Sequence, residues 1–296
     1  MKYLIIFSVL LCSKIAIADL QPKPNAKPIK GEAGEIFYLI NQLTFVEGQN
    51  SSPLIYRGTK SVSGEFLPHG WIGNCTATAV SKNVVFTAAH CVSNGKRITF
   101  SSRFDGKKYS ATCSRHPKVN TRVWFNDYAF CKLDSEFPDD MVMATFATRT
   151  PEKGEKLLLN GYGAPNVGTH YWGNATVDRF GSQDIITCGP ANLGGGDSGG
   201  SLLTWTEERS GKSGFEILGV NSRGGGGCSL FNRVSHPEFQ SWAREYEKEK
   251  GVELCGISKE CGIGVDFCPI ERFLVKTIEQ ELKDAKEALN ACLKAQ

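Results

Sequence analysis

Three short segments hold residue types that together could carry out covalent chemistry: Thr87-Ala88-Ala89-His90-Cys91, Asn126-Asp127-Tyr128-Ala129-Phe130 and Gly196-Asp197-Ser198-Gly199-Gly200. A serine hydroxyl is a poor nucleophile at neutral pH, so it needs a base that takes its proton during attack and returns it to the leaving group. Imidazole suits that task, and a buried carboxylate behind it fixes the tautomer and stabilises the charged ring. The glycines around Ser198 let the backbone turn tightly where any β-carbon would crowd the site. Taken singly, His90 reads equally as a packed core histidine, Asp127 as a turn or capping residue, and Ser198 as one more small residue in a glycine loop. Their combination is what points to nucleophilic catalysis.

The elements that would position these residues are short. From Leu54 to Val234 the chain runs in apolar or alternating stretches, among them Cys75 to Val80, Val84 to Thr87, Arg97 to Phe100, Lys156 to Asn160 and Glu216 to Val220. Gly, Asn, Pro and Ser clusters separate them, which predicts an all-β barrel or sandwich. Ser235 with Glu238 reads as a capping box, followed by Phe239, Trp242, Ala243 and Tyr246 at helical spacing, so one helix closes the β region. Before it, Gln21 to Pro28 reads as an extended, solvated lead without regular pairing. Gly31 to Gln49 is expected to hold a short amphipathic helix through Ile36, Leu39, Ile40 and Leu43. Ile270 to Leu293 predicts a second amphipathic helix.

Composition bounds the rest. The 296 residues are 41% apolar and 22% charged, ordinary for a globular chain, and a net charge of +3 with scattered Lys and Arg argues against nucleic acid as partner. Met1-Lys2-Tyr3, the apolar run Leu4 to Leu11 and Ala16-Ile17-Ala18 have the pattern of a secretory signal, with residues 1–18 removed after Ala18. That run is far below the ~20 residues that cross a bilayer, so no stable membrane span is expected. Eleven cysteines less Cys12 leave ten, an even number in an exported chain, favouring disulfides over metal ligands. No cofactor and no metal are implied.

The three opening segments resemble the signature segments of trypsin-like serine proteases, and their order, His then Asp then Ser, differs from that of subtilisins and α/β-hydrolases. The resemblance covers Ile55 to Glu249, about two thirds of the chain. It implies a chymotrypsin-like fold of two six-stranded antiparallel β-barrels with a C-terminal helix, here extended by a cysteine-containing helical tail at 251–296. It also implies a secreted (extracellular or periplasmic) endopeptidase acting on polypeptide substrates, with His90, Asp127 and Ser198 as triad and the amides of Gly196 and Ser198 as oxyanion donors. Ser222 takes the place of the family's serine that bonds the triad aspartate. By the same resemblance Cys75 pairs with Cys91. Cys113, before the aspartate strand, is paired with Cys131 within it, and Cys188 with Cys228, which stand before and after the nucleophile segment; here the chain departs from the many relatives in which a cysteine at the Gly194 position bridges to the Cys228 position. A catalytically silent homologue that binds a partner is the alternative from another class, although such homologues usually lose a triad member; an esterase with the same triad is a second.

The resemblance also places Asn192 at the base of the specificity pocket, with Gly224 and Gly226 as its wall and Ser229 at its floor. Trypsin has an aspartate at the base, so strict cleavage after Lys or Arg is not expected. Arg223 is read as a solvent-facing side chain. Ile55-Tyr56-Arg57-Gly58 resembles a drifted mature N-terminus, which implies a propeptide at 19–54, an activating protease, and a peptidase domain at 55–250. A cut before Ile55 would free an ammonium to pair with Asp197. The tail's Cys255, Cys261, Cys268 and Cys292 have no counterpart in the resemblance. A straight helix over 270–293 would separate its ends by ~30 to 35 Å, so Cys268 and Cys292 are not expected to bond each other.

Overall fold

A computed structural model of the chain describes residues 20–22, 24–30, 32, 36–39, 43–45, 55, 58–61, 66–163, 168–189, 191–207, 213–261 and 286. Two compact units divide it, residues 20–265 and the two termini taken together, and almost everything described belongs to the first. The expected leader at 1–18, the helix over 270–293, Cys268 and Cys292 lie outside the described residues.

Five short strands come first: β1 (Leu20–Pro22), β2 (Ile29–Lys30), β3 (Ile36–Leu39), β4 (Leu43–Phe45) and β5 (Thr59–Lys60). Then β6 (His69–Ile72), β7 (Cys75–Ser81), β8 (Val84–Thr87), β9 (Arg97–Ser102), β10 (Lys108–Arg115) and β11 (Ala129–Leu133) close into a six-stranded barrel in the order β10-β11-β8-β7-β6-β9. After β12 (Thr145–Phe146) come β13 (Lys156–Gly161), β14 (Tyr171–Phe180), β15 (Asp184–Cys188), β16 (Ser201–Glu207), β17 (Ser213–Gly225) and β18 (Cys228–Arg233). These follow β16-β13-β14-β15-β18-β17, and pairing of β16 with β17 closes the second antiparallel six-stranded barrel. This is the chymotrypsin-like architecture.

Each barrel has its own apolar filling. Ala77, Val85, Phe100, Ala111, Ala129 and Leu133 occupy the first, and Leu157, Leu159, Val177, Ile185, Leu202, Leu218 and Phe231 the second. Disulfides Cys113–Cys131 and Cys188–Cys228 join directly opposed residues of β10–β11 and β15–β18, while Cys75–Cys91 ties the start of β7 to the turn after β8.

Helix α1 (Pro237–Lys250) ends at Gly251 in the left-handed conformation that glycine adopts without strain. Its Phe239, Trp242 and Tyr246 pack on Phe86, Phe130 and Phe146, with the Phe130 and Trp242 rings stacked at 4.6 Å. The cap differs from the sequence expectation. His236, not Ser235, accepts the amide of Glu238, because Pro237 at the first helical position fixes the chain one residue later; Ser235 bonds Thr150 instead. Beyond the helix, Cys255 receives a backbone bond from Phe146 and gives one to Val80. Its disulfide to Cys261 closes a small loop there.

Two expectations for the N-terminal segment are corrected. The helix expected within 31–49 is replaced by β3 and β4: Phe37 and Leu39 are buried while Ile36 is exposed, a period of two set by pairing with β17. The lead is not wholly unpaired either, since Leu20–Pro22 pairs with Leu43–Phe45 as an isolated ribbon, with Pro22 at its end, where a missing N–H is tolerated.

Candidate active site

The turn at Ala89–Cys91, directly after β8, carries His90, and the Cys75–Cys91 bridge fixes the residue beside it. Asp127 lies just before β11, which pairs with β8, so one barrel edge presents both. Trp124 and Asn126 take positive φ values of 55° and 54°, the tight winding that brings Asp127 inward. Ser198 comes from the loop between β15 and β16 of the other barrel. Its carbonyl accepts the Thr76 amide at 2.7 Å. At Gly199 (φ +78°) an added Cβ would overlap the Thr87 hydroxyl and lie 2.5 Å from the Thr76 carbonyl, so glycine is what lets this loop lie against the histidine turn.

The structure bonds His90 to Asp127 and lays the Ser198 loop against the start of β7 and the end of β8, at the seam between the barrels. His90 Nδ1 sits 2.7 Å from Asp127 Oδ2, and the His90 amide donates to Oδ1 at 2.9 Å. Ser222 donates its hydroxyl to Oδ2 at 2.6 Å. The Asp127 amide is held by Asn232 Oδ1 at 2.7 Å. Burial alone would raise the Asp127 pKa; the His90 charge and the bonds from His90 and Ser222 outweigh it and hold the carboxyl below its usual range. An ionised carboxylate only accepts, so Nδ1 carries a ring hydrogen, and in the neutral form of the ring Nε2 is the acceptor. Among the described residues, neither Nε2 nor Ser198 Oγ has a hydrogen-bond partner, and both are buried. The two groups are thus not hydrogen-bonded to each other in this structure.

The loop before Ser198 is wound by bonds from the Asp197 amide to the Gly194 carbonyl and from the Gly200 amide to the Asp197 carbonyl, at 3.1 and 3.0 Å. Gly196 stands at φ +103°, and its carbonyl accepts the Thr76 hydroxyl. The amides of Gly196 and Ser198 make no hydrogen bond among the described residues. Asp197 is fully buried and accepts from the amides of Gly163 and Gly194, each at 2.9 Å. Burial outweighs these two bonds and pushes its pKa up to about 7. Ile55 is fully buried in the second barrel's apolar cluster with Ala191 and Leu193.

At the expected specificity pocket, the Asn192 amide nitrogen donates to the Gly189 carbonyl at 3.0 Å, and Ser229 Oγ accepts the Leu193 amide. Gly224 is opposite Ser229 across β17–β18, whereas Gly226 sits in the turn between those strands with open space around it. Arg223 departs from expectation: it is 2% exposed, ion-paired to Asp184, donates to the Val123 carbonyl, and lies over the Phe125 ring. An oppositely charged partner within β15 draws it inward, which the neighbouring sequence does not signal. Among the described residues, Cys75, His90 and Cys91 form the one group close enough to hold a metal, and its sulfurs are bonded to each other.

Supporting residues went unremarked in the sequence. Asn232 holds Asp127, Asn221 bridges the carbonyls of Asn160 and Asp197, and Thr76 links the Gly196 carbonyl to the Tyr162 amide. The available signal was a polar residue inside an apolar run, as in Leu218-Gly219-Val220-Asn221 and Leu230-Phe231-Asn232.

A family model described as Trypsin matches residues 56–243. Among curated proteins, kallikrein-15 of Homo sapiens is 30% identical over 99 residues, covering 30% of this chain and 39% of that relative. The chain thus spans about two fifths of the curated relative it matches.

Proposed function

The chain belongs to the trypsin family, and from that premise we propose that it is a secreted serine endopeptidase that cleaves peptide bonds through Ser198, His90 and Asp127. In this reading Ser198 Oγ attacks the scissile carbonyl while His90 Nε2 takes its proton. Asp127, ionised and gripped by Ser222, steadies the imidazolium. The amides of Gly196 and Ser198 receive the oxyanion, a role in which one lost donor costs ~100- to 1000-fold in rate. Collapse expels the amine with the proton from His90, leaving an acyl group on Ser198. Water then enters by the same route in reverse. The observation that carries the reading is the bonded Asp127–His90 pair, gripped by Ser222, with the Ser198 loop packed on the barrel that carries the histidine.

Production as a zymogen is part of the proposal, with residues 19–54 as propeptide, a signal at 1–18, the peptidase at 55–250 and the tail as a staple. Asp197 supports it, because a buried carboxyl with two amides and no cation among the described residues is poised for the ammonium that a cut before Ile55 would create. The neutral Asn192–Ser229 pair supports a weak preference for basic residues, and a peptide-library profile is expected to show no dominance of Lys or Arg before the cut bond.

Labelling with a fluorophosphonate probe, before and after limited proteolysis and beside Ser198→Ala, tests the core. Ser198-dependent labelling that grows on processing is expected. A folded protein that never labels would point to the silent binding homologue.

A further inference from the structure

β17 leads away from the triad. Ser222 bonds Asp127, and the next two residues are each paired on both sides: Arg223 and Gly224 face Leu230 and Ser229 of β18 on one edge, and Leu39 and Tyr38 of β3 on the other. A polypeptide substrate binds most readily by adding as an extended strand to a free edge. Only one strand fits there, because neighbouring strands take up ~4.8 Å of sheet. The second edge of β17 beside the triad is therefore already taken, antiparallel, by the chain's own N-terminal segment.

That segment is built to sit there. β2 backs β3 as a hairpin, with Ile29 opposite Phe37. Phe37 is 2% exposed and packs on Ile186, Leu230 and the Cys188–Cys228 bridge. It forms part of the wall of a cleft of about 440 Å³ lined also by Phe125 and Arg223. Gly225 permits the close approach, since a Cβ there would stand 3.0 Å from the Ile36 carbonyl. The Glu32 carboxylate accepts from the amide and hydroxyl of Ser182, tying down the exposed side of the hairpin. Ser198 is fully buried.

We propose that the β2–β3 hairpin is a resident inhibitor that fills, in cis, the strand edge a substrate must take, with Phe37 as its anchor. The device rests on the protease reading but differs from ordering of the Asp197 loop, since it blocks substrate rather than disabling the catalytic groups. It also identifies the chemistry the edge prefers: an extended segment with an aromatic side chain directed at Ile186 and Leu230.

The full-length chain tests this with a fluorescein-labelled peptide of sequence 28–39, followed by anisotropy, alongside fluorophosphonate labelling of Ser198. Phe37→Asp is expected to eject the hairpin, so that this variant captures the peptide, wild type does not, and labelling rises at least tenfold. Glu32→Ala, a surface change that spares the core, is expected to raise labelling two- to fivefold and carries the test if Phe37→Asp does not fold. A folded Phe37→Asp chain that captures no peptide overturns the proposal, as does capture beside a wild type that already labels as strongly. Capture with no labelling of any chain, wild type included and both before and after limited proteolysis, supports the occupied edge and defeats the hydrolase reading instead.

Discussion

Ser222→Ala isolates what the buried Asp127 charge contributes. The hydroxyl gives that carboxylate one of its three bonds from His90 and Ser222, at 2.6 Å. A hydrogen bond to a charged group is worth about 1.5–3 kcal/mol, so the variant should raise the Asp127 pKa. Because Asp127 is held below its usual value in the fold, its charge stabilises the protein above the unfolded pKa of about 3.9, and that stability is lost as pH falls through the folded pKa. The variant begins this loss at higher pH. Urea unfolding with disulfides intact should show about 2 kcal/mol of destabilisation at pH 7, shrinking toward acid pH as the carboxyl is neutralised. In an Asp127→Asn background the Ser222 substitution should cost little at either pH. An equal cost at pH 7 and pH 3 would refute the reasoning, because loss of packing alone does not depend on ionisation.

Gly199→Ala should destabilise by about 3 kcal/mol or more, since it combines positive φ with overlap on Thr87, and a melting curve unmoved from wild type would contradict the close packing of the two loops. Replacing Cys75 and Cys91 together by Ser should cost about 3 kcal/mol by the loop-entropy relation and lower kcat more than KM changes, measured by unfolding and steady-state hydrolysis. For the uncut chain, Asp197 works in the opposite sense to Asp127. Its pKa is raised to about 7, so the stability tied to its neutral form is full below about pH 4 and is lost as pH rises through 7, by up to about 4 kcal/mol. A melting temperature flat across that window would count against it.

The interior of the barrels could be read from the chain text because their strands keep their own local pattern. Val84 to Thr87 is a strand with those limits, and Phe239, Trp242, Ala243 and Tyr246 lie on one buried helical face as their spacing predicts. What misled was local pattern without a local cause. Ile36, Leu39, Ile40 and Leu43 fit a helical stripe, yet Leu39 faces Arg223, 184 positions later, and that pairing decides its conformation. Arg223 gives no hint in its neighbours of Asp184 waiting in β15. Likewise the chain text shows Asp127 and Ser222 but not that Asn232 grips the same aspartate's amide, a bond spanning 105 residues.

The seam between the barrels divides the reactive centre unevenly. His90 and Asp127 ride on one barrel, while Ser198, Ser222 and Asn232 belong to the other. A molecule with both barrels intact but parted by a few ångströms would keep nearly all its strands and its imidazole–carboxylate pair. It would have no hydroxyl to activate, and water would replace the two groups that steady the carboxylate. Under the proposed function, the capacity to cut protein would therefore belong to neither barrel alone but to their docking.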